Sequence, residues 1–240
     1  MIHVFCTRWL KESIIEDALQ RQICIHAENF IKIAPIHSNQ LENKIVSALS
    51  SPHITLLFTS KNAVSIAFKN YLNQIPEKII SHWKYYVLSG ATRQQVLQYA
   101  GEDQIIAYAN CAADLCKEIK QDKQPIHFFC SNRRRNTLPN FMTRQQISFK
   151  EWEIYTTEIN PHRIDKTYDA FLFYSPSAVE SFFSMNKIIN DKPCFCIGQT
   201  TASAVQSKVD NPVFISEEPN TQQLLQLVCN HFNKENHVKK

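Results

Sequence analysis

Apolar positions along this chain fall into two alternating rhythms. Short continuous runs (residues 2–6, 54–58, 85–88, 126–130, 170–173, 194–197 and 213–215) have the length and saturation of strands buried on both faces. Briefer runs at 23–25 and 104–107 read as strands too. Between them, apolar residues recur three and four apart, predicting helices over 11–22, 41–49, 63–72, 93–99, 112–119, 138–145, 202–208 and 221–232. Ile14, Ile15, Ala18 and Leu19 would share the buried face of the first helix. Gly101 is expected to close the helix over 93–99, and the polar tail 233–240 to fray. Residues 30–36 and 149–157 read as extended, with Pro35 marking an edge or linker. Strand and helix in alternation predict βαβ units and parallel sheets.

The pattern repeats. Phe58-Thr59-Ser60-Lys61-Asn62-Ala63-Val64 lines up with Phe173-Tyr174-Ser175-Pro176-Ser177-Ala178-Val179, each a strand turning into a helix. Leu88-Ser89-Gly90-Ala91-Thr92 matches Cys196-Ile197-Gly198-Gln199-Thr200, and Ala112–Leu115 matches Thr221–Leu224. The chain therefore reads as two similar α/β halves. In open parallel sheets, ligands lie beyond the carboxyl ends of the strands.

Composition removes several alternatives. Only 3 glycines occur in 240 residues, too few for the phosphate loops built on glycine-rich fingerprints. A net charge of +4 without a basic block leans toward an anionic ligand and away from nucleic acid. The amino end lacks a signal-peptide pattern, and the apolar runs are too short to cross a bilayer. The 8 cysteines sit mostly in strand-like runs, Cys6, Cys130, Cys194 and Cys196 among them, as buried reduced thiols would. The 9 histidines show no zinc-binding spacing, so no metal is expected.

What the strand ends do carry is hydroxyls and cations: Thr7 and Arg8; Thr59, Ser60 and Lys61; Ser89 and Thr92; Arg133 to Arg135; Ser175 and Ser177; Thr200 and Thr201. Helix capping alone would account for each serine or threonine. The cations point further, because positive charge in a first helical turn opposes the helix dipole unless an anion is bound there. For Arg133 to Arg135 a solvated surface is an equal alternative.

These features together resemble the uroporphyrinogen-III synthase family. The matching residues are Phe58-Thr59-Ser60-x-Asn62-Ala63-Val64, Tyr155 in the run Trp-Glu-Ile-Tyr-Thr-Thr, and Phe173-x-Ser175-Pro176-Ser177-Ala178-Val179. Ile197-Gly198-x-Thr200-Thr201-Ala202 and Pro219-x-Thr221-x-x-Leu224-Leu225 complete the set. Two departures stand out: the glycine often found near Gln22 is missing, and Gln199 stands where proline is common. The resemblance implies two α/β domains with parallel sheets, residues 1–35 with 160–240 and residues 37–155, joined by a two-stranded linker with the active site in the interdomain cleft. It implies a cofactor-free cyclising lyase of haem biosynthesis, acting on the polycarboxylate hydroxymethylbilane through a spiro intermediate. The expected setting is a cytoplasmic monomer that binds neither nucleic acid nor membrane. Tyr155 is the candidate donor to the departing hydroxyl, or else a tyrosine packed structurally in the linker. Thr7, Arg8, Thr59, Ser60, Lys61, Asn62, Gly90, Thr92, Ser175, Ser177, Ala178, Gly198, Thr200 and Thr201 are the candidate substrate contacts. A non-catalytic two-domain clamp for an anionic metabolite is the alternative from another class.

Overall fold

The computed structural model describes residues 1–120, 125–189 and 191–238. From the amino end come β1 (Ile2–Cys6), α1 (Glu12–Gln20), β2 (Ile23–Ala27) and β3 (Ile31–Pro35). Next are α2 (Asn39–Leu49), β4 (Thr55–Phe58), α3 (Lys61–Asn70), α4 (Glu77–Ile80), β5 (Lys84–Leu88) and α5 (Ala91–Val96). A 3₁₀ turn at Glu102–Gln104 leads into β6 (Ile105–Ala109), α6 (Ala112–Glu118), β7 (Ile126–Ser131), α7 (Thr137–Arg144) and the long β8 (Phe149–Ile159). The chain finishes with β9 (Ala170–Phe173), α8 (Pro176–Met185), β10 (Cys194–Cys196), α9 (Gln199–Gln206), β11 (Val213–Ile215) and α10 (Thr221–Val238).

Contacts divide the chain into two compact units. Unit 1 joins Met1–Lys32 to the chain from Glu158 onward, and unit 2 is Ile33–Thr157. Unit 1 holds a parallel sheet in the order β11-β10-β9-β1-β2. Unit 2 holds β3-β8-β7-β4-β5-β6, so β1 and β4 lie in different sheets. Both β3 and β8 span the unit boundary and lie side by side. Pro35 ends the edge strand β3, where a missing N–H disturbs the ladder least.

Each sheet is covered on both faces, which is why its strands read as unbroken apolar runs. In unit 1, Val4, Cys6, Ala170, Leu172 and Phe195 face one core, while Phe5, Phe171, Phe173, Cys194 and Cys196 face the other. In unit 2, Leu56, Phe58, Tyr85 and Phe129 oppose Leu57, Tyr86, Phe128 and Cys130 in the same way. All eight cysteines are free thiols. Burial pushes those of Cys6, Cys130, Cys194 and Cys196 up to about 12, so they stay protonated and inert at neutral pH.

Several local expectations shift. Gly101 does not close a helix: α5 ends at Val96, and Gly101 N–H instead donates to Gln104 Oε1 at 2.9 Å, opening the 3₁₀ turn. Leu19 is exposed, because the nine-residue α1 turns only Ala18 fully inward. The tail continues as helix to Val238, its sequence offering no glycine or proline to stop it. Helix α4 is a single turn after Pro76, too short to leave a periodic pattern.

Candidate active site

The carboxyl ends of β4 and β7, with β8 running on beside β7, form a rim on unit 2. At β4, Ser60 caps α3: its Oγ accepts from Asn62 N–H at 3.2 Å and its carbonyl from Val64 N–H at 3.2 Å. Thr59 and Asn62 flank it half-buried, and Lys61 is exposed at the first helical position. At the end of β7, Ser131 is buried, and its Oγ accepts from Arg133 N–H at 3.2 Å.

Tyr155 reaches this rim because β8 breaks its own alternation. Cys130 pairs with Glu153, but the next residue, Ser131, pairs with Tyr155, so β8 fits an extra residue into that step. Such a bulge re-aims a side chain. Ile154 and Tyr155, although consecutive, consequently join the same core, together with Trp152, and Tyr155 is only 4% exposed. Its hydroxyl lies in hydrogen-bonding reach of Ser60 and Ser131. Burial raises the phenol above its ordinary value of 10.0, while the two serines pull it back part of the way. At neutral pH Tyr155 is therefore a protonated donor in a largely dry setting, with a serine from each of two strand ends within reach.

Elsewhere on unit 2, Gly90 turns the chain from β5 into α5 at φ 69°, ψ −130°. A Cβ there would meet no atom within 4 Å, so the backbone angle and not space is what calls for glycine. Thr92 is buried in the first turn of α5. Arg134 is occupied: its Nη2 donates to Glu151 Oε2 at 2.6 Å, and its Nε lies 2.6 Å from Oε1 in a close ion pair. Arg133 and Arg135 are exposed.

Unit 1 presents the ends of β1, β9 and β10. Thr7 is buried, and its N–H and Oγ1 both donate to the Leu172 carbonyl, at 3.1 and 2.9 Å, pinning β1 to β9. Arg8 lies 3.8 Å over the Tyr174 ring and donates from Nη2 to Thr221 Oγ1 at 2.9 Å. Arg8 Nε and the Tyr174 hydroxyl are buried without an aligned hydrogen bond. Burial drives the Tyr174 phenol upward. Ser175 caps α8, its Oγ accepting from Ala178 N–H at 3.2 Å, with Pro176 at the first helical position. Ser177 is half-buried and Ala178 buried. Gly198 is extended; its carbonyl accepts from Thr201 and Ala202 N–H, each at 3.1 Å. Thr200 is exposed beside it and Thr201 buried.

The candidates thus collect at strand ends on two sheets, six of them in unit 2 beside Tyr155 and the others in unit 1. Sequence reading missed Ser131, Tyr174 and Thr221 as site residues. Ser131 carried a signal, a serine closing a strand as at Ser60; Tyr174 and Thr221 are tied to Arg8 only by distant pairing. Among the described residues, no group of histidine, cysteine or carboxylate is placed to hold a metal ion.

The family model of uroporphyrinogen-III synthase HemD matches residues 14–226 of the chain. The uroporphyrinogen-III synthetase structure from Helicobacter pylori superposes with a TM-score of 0.67 at 15% identity, covering 96% of this chain and 99% of that one. A mutant uroporphyrinogen III synthase from Thermus thermophilus gives 0.68 at 13% identity, covering 98% and 100%. The wild-type Thermus enzyme in another crystal form gives 0.53 at 14% identity, covering 98% and 99%. No curated protein matches the sequence.

Proposed function

The chain belongs to the uroporphyrinogen-III synthase family, and from that premise we propose how its residues carry the family's reaction. That reaction is a cofactor-independent, dehydrating cyclisation of hydroxymethylbilane to uroporphyrinogen III, a step in tetrapyrrole biosynthesis. Loss of the terminal hydroxyl leaves an electrophilic azafulvene. Ring D attacks it through its substituted carbon, and the spiro intermediate reopens and recloses with ring D inverted. Unassisted closure gives the non-inverted isomer, so the protein's task is to release the hydroxyl while holding the chain in one geometry.

Tyr155 donates to the departing hydroxyl. The support is its placement: a phenol brought inward by a strand bulge, protonated at neutral pH, and within reach of Ser60 and Ser131. As the carbon–oxygen bond breaks, negative charge grows on the oxygen, and a fixed donor in a dry site stabilises that state more than the ground state. Carboxylates of the substrate are met by Arg8, Lys61 and Thr200 and by the first-turn amides of α3, α8 and α9, the positive ends of helix dipoles. Gly90 and Gly198 keep their backbones open to close approach. Thr7, Thr92, Ala178 and Thr201, all buried, support these turns from beneath.

We read the protein as a cytoplasmic monomer that binds no nucleic acid. Eight free thiols support the compartment and a mild net charge of +4 the lack of a nucleic-acid partner; no described helix is long and apolar enough to cross a membrane. The decisive experiment supplies freshly made hydroxymethylbilane and measures the isomer formed. The type III isomer is expected in large excess; type I alone, at the buffer rate, overturns the reading.

A further inference from the structure

Of the three tryptophans, two lie in the core of unit 2: Trp83 is 0% and Trp152 3% exposed, whereas Trp9 is 65% exposed. Single apolar residues on a surface are ordinary. What distinguishes Trp9 is where it stands and how firmly its backbone is held. It follows Arg8 in the loop that leaves the carboxyl end of β1, on the ligand side of a parallel sheet. Its N–H donates to Asn29 Oδ1 at 2.8 Å, and the Asn29 carbonyl in turn accepts from Asn160 Nδ2 at 2.8 Å. On the other side, Arg8 is braced by Tyr174 and Thr221, and its carbonyl accepts from Cys6 Sγ at 3.1 Å. The loop thus exposes an indole on the residue that follows a braced arginine.

We propose that Trp9 is a positioning residue for the cyclisation, stacking on the face of one pyrrole ring of the linear tetrapyrrole while Arg8 beside it takes a carboxylate of that ring. The inference rests on the family reaction set out above and adds to it the residue that recognises ring faces. The hydroxyls, amides and cations at the strand ends recognise only the edges of such a substrate. A flat, electron-rich ring carrying acidic side chains needs a flat apolar partner next to a cation, and Trp9 with Arg8 supplies that pair on adjacent residues. Stacking of this kind acts on the bound chain both before and during ring closure, so its loss is read in KM rather than kcat.

The test compares Trp9→Ala, Trp9→Leu and Trp9→Phe with the parent on fresh hydroxymethylbilane, with melting temperatures to confirm the fold. Trp9→Ala and Trp9→Leu should raise KM roughly 5- to 30-fold, the range of one aromatic stacking contact, with kcat within about twofold. Trp9→Phe should recover most of the loss. An active parent with KM within twofold in Trp9→Ala, or a leucine variant as good as the phenylalanine one, overturns the role of Trp9 and leaves the family reading intact. A parent that forms no type III isomer overturns both.

Discussion

The corners after β4 and β9 begin from nearly the same letters, and the backbone treats them alike. In each, a serine caps the helix and its carbonyl accepts the amide four residues on. The difference comes from the neighbouring strands. Near β4, β7 ends on Ser131 and bulged β8 delivers Tyr155, so the rim of unit 2 gathers hydroxyls while Arg134 is tied up by Glu151. Beside β9, β1 delivers Arg8 and Trp9, so the rim of unit 1 offers a cation and an indole. A repeated corner keeps its structural task, and the adjacent strand sets its chemistry. Substitutions of Tyr155 and its two serines in unit 2 should therefore act on the chemical step, and those of Arg8 and Trp9 in unit 1 on holding the substrate.

The largest effect expected is that of Tyr155→Phe, which removes one oxygen from a packed site. It should lower kcat roughly 10- to 1,000-fold with the melting temperature nearly unchanged. Initial rates and isomer ratio on fresh substrate check this, and near-normal turnover would make the tyrosine structural. The pH profile sharpens the same point. The donor form is lost only as pH rises through a folded-state value above 10.0, so this phenol should cause no loss of rate between pH 7 and 9. Next in size, Arg8→Gln should raise KM about tenfold and leave kcat close to the parent, as loss of one charge-assisted contact predicts. A fall in kcat instead would break the division between the units.

A third test concerns stability. His127 is buried on β7, accepts from Trp152 Nε1 at 3.0 Å, and is depressed to about 4 by burial and by Lys150. Its folded value lies below the ordinary 6.5, so the stability is fully present above pH 6.5 and drains away as pH falls toward 4. Tryptophan emission in a Trp9→Phe background reports unit 2 alone, and its melting temperature should fall over that window. His127→Gln should flatten the fall.

The smallest effects concern two left-handed residues, one in each unit. Gly90, at φ 69°, has the residue its backbone asks for; Gln22, at φ 62° just past α1, does not. Gly90→Ala should cost about 1 kcal/mol, and Gln22→Gly should add about 0.5 kcal/mol, both read as shifts in melting temperature.

The missing glycine near Gln22 was visible in the sequence, and the angle explains why glycine suits that place. Alternating apolar runs likewise foretold the strands, since covered parallel sheets leave that mark whatever their order. Ser60 and Ser175 were legible as caps because capping is local. Tyr155 could be named but not aimed: strict alternation turns it away from Ile154, and only the pairing of β8 with β7 brings both inward. Arg8, read as a candidate substrate contact, is held by Tyr174 and Thr221, the latter more than two hundred residues away, a partnership no spacing reveals.

The interleaved order of the two units also sets a timetable for synthesis. Unit 2 is one continuous stretch and can fold as soon as it leaves the ribosome. β1 and β2 come first but must wait for β9, whose Ala170 pairs with Val4. At about 5–20 residues per second that delay is on the order of ten seconds. For most of that time the first strand pair carries an open apolar edge while unit 2 is still being made, since Thr157 emerges only shortly before β9, so the newborn chain exposes apolar surface that the mature protein covers.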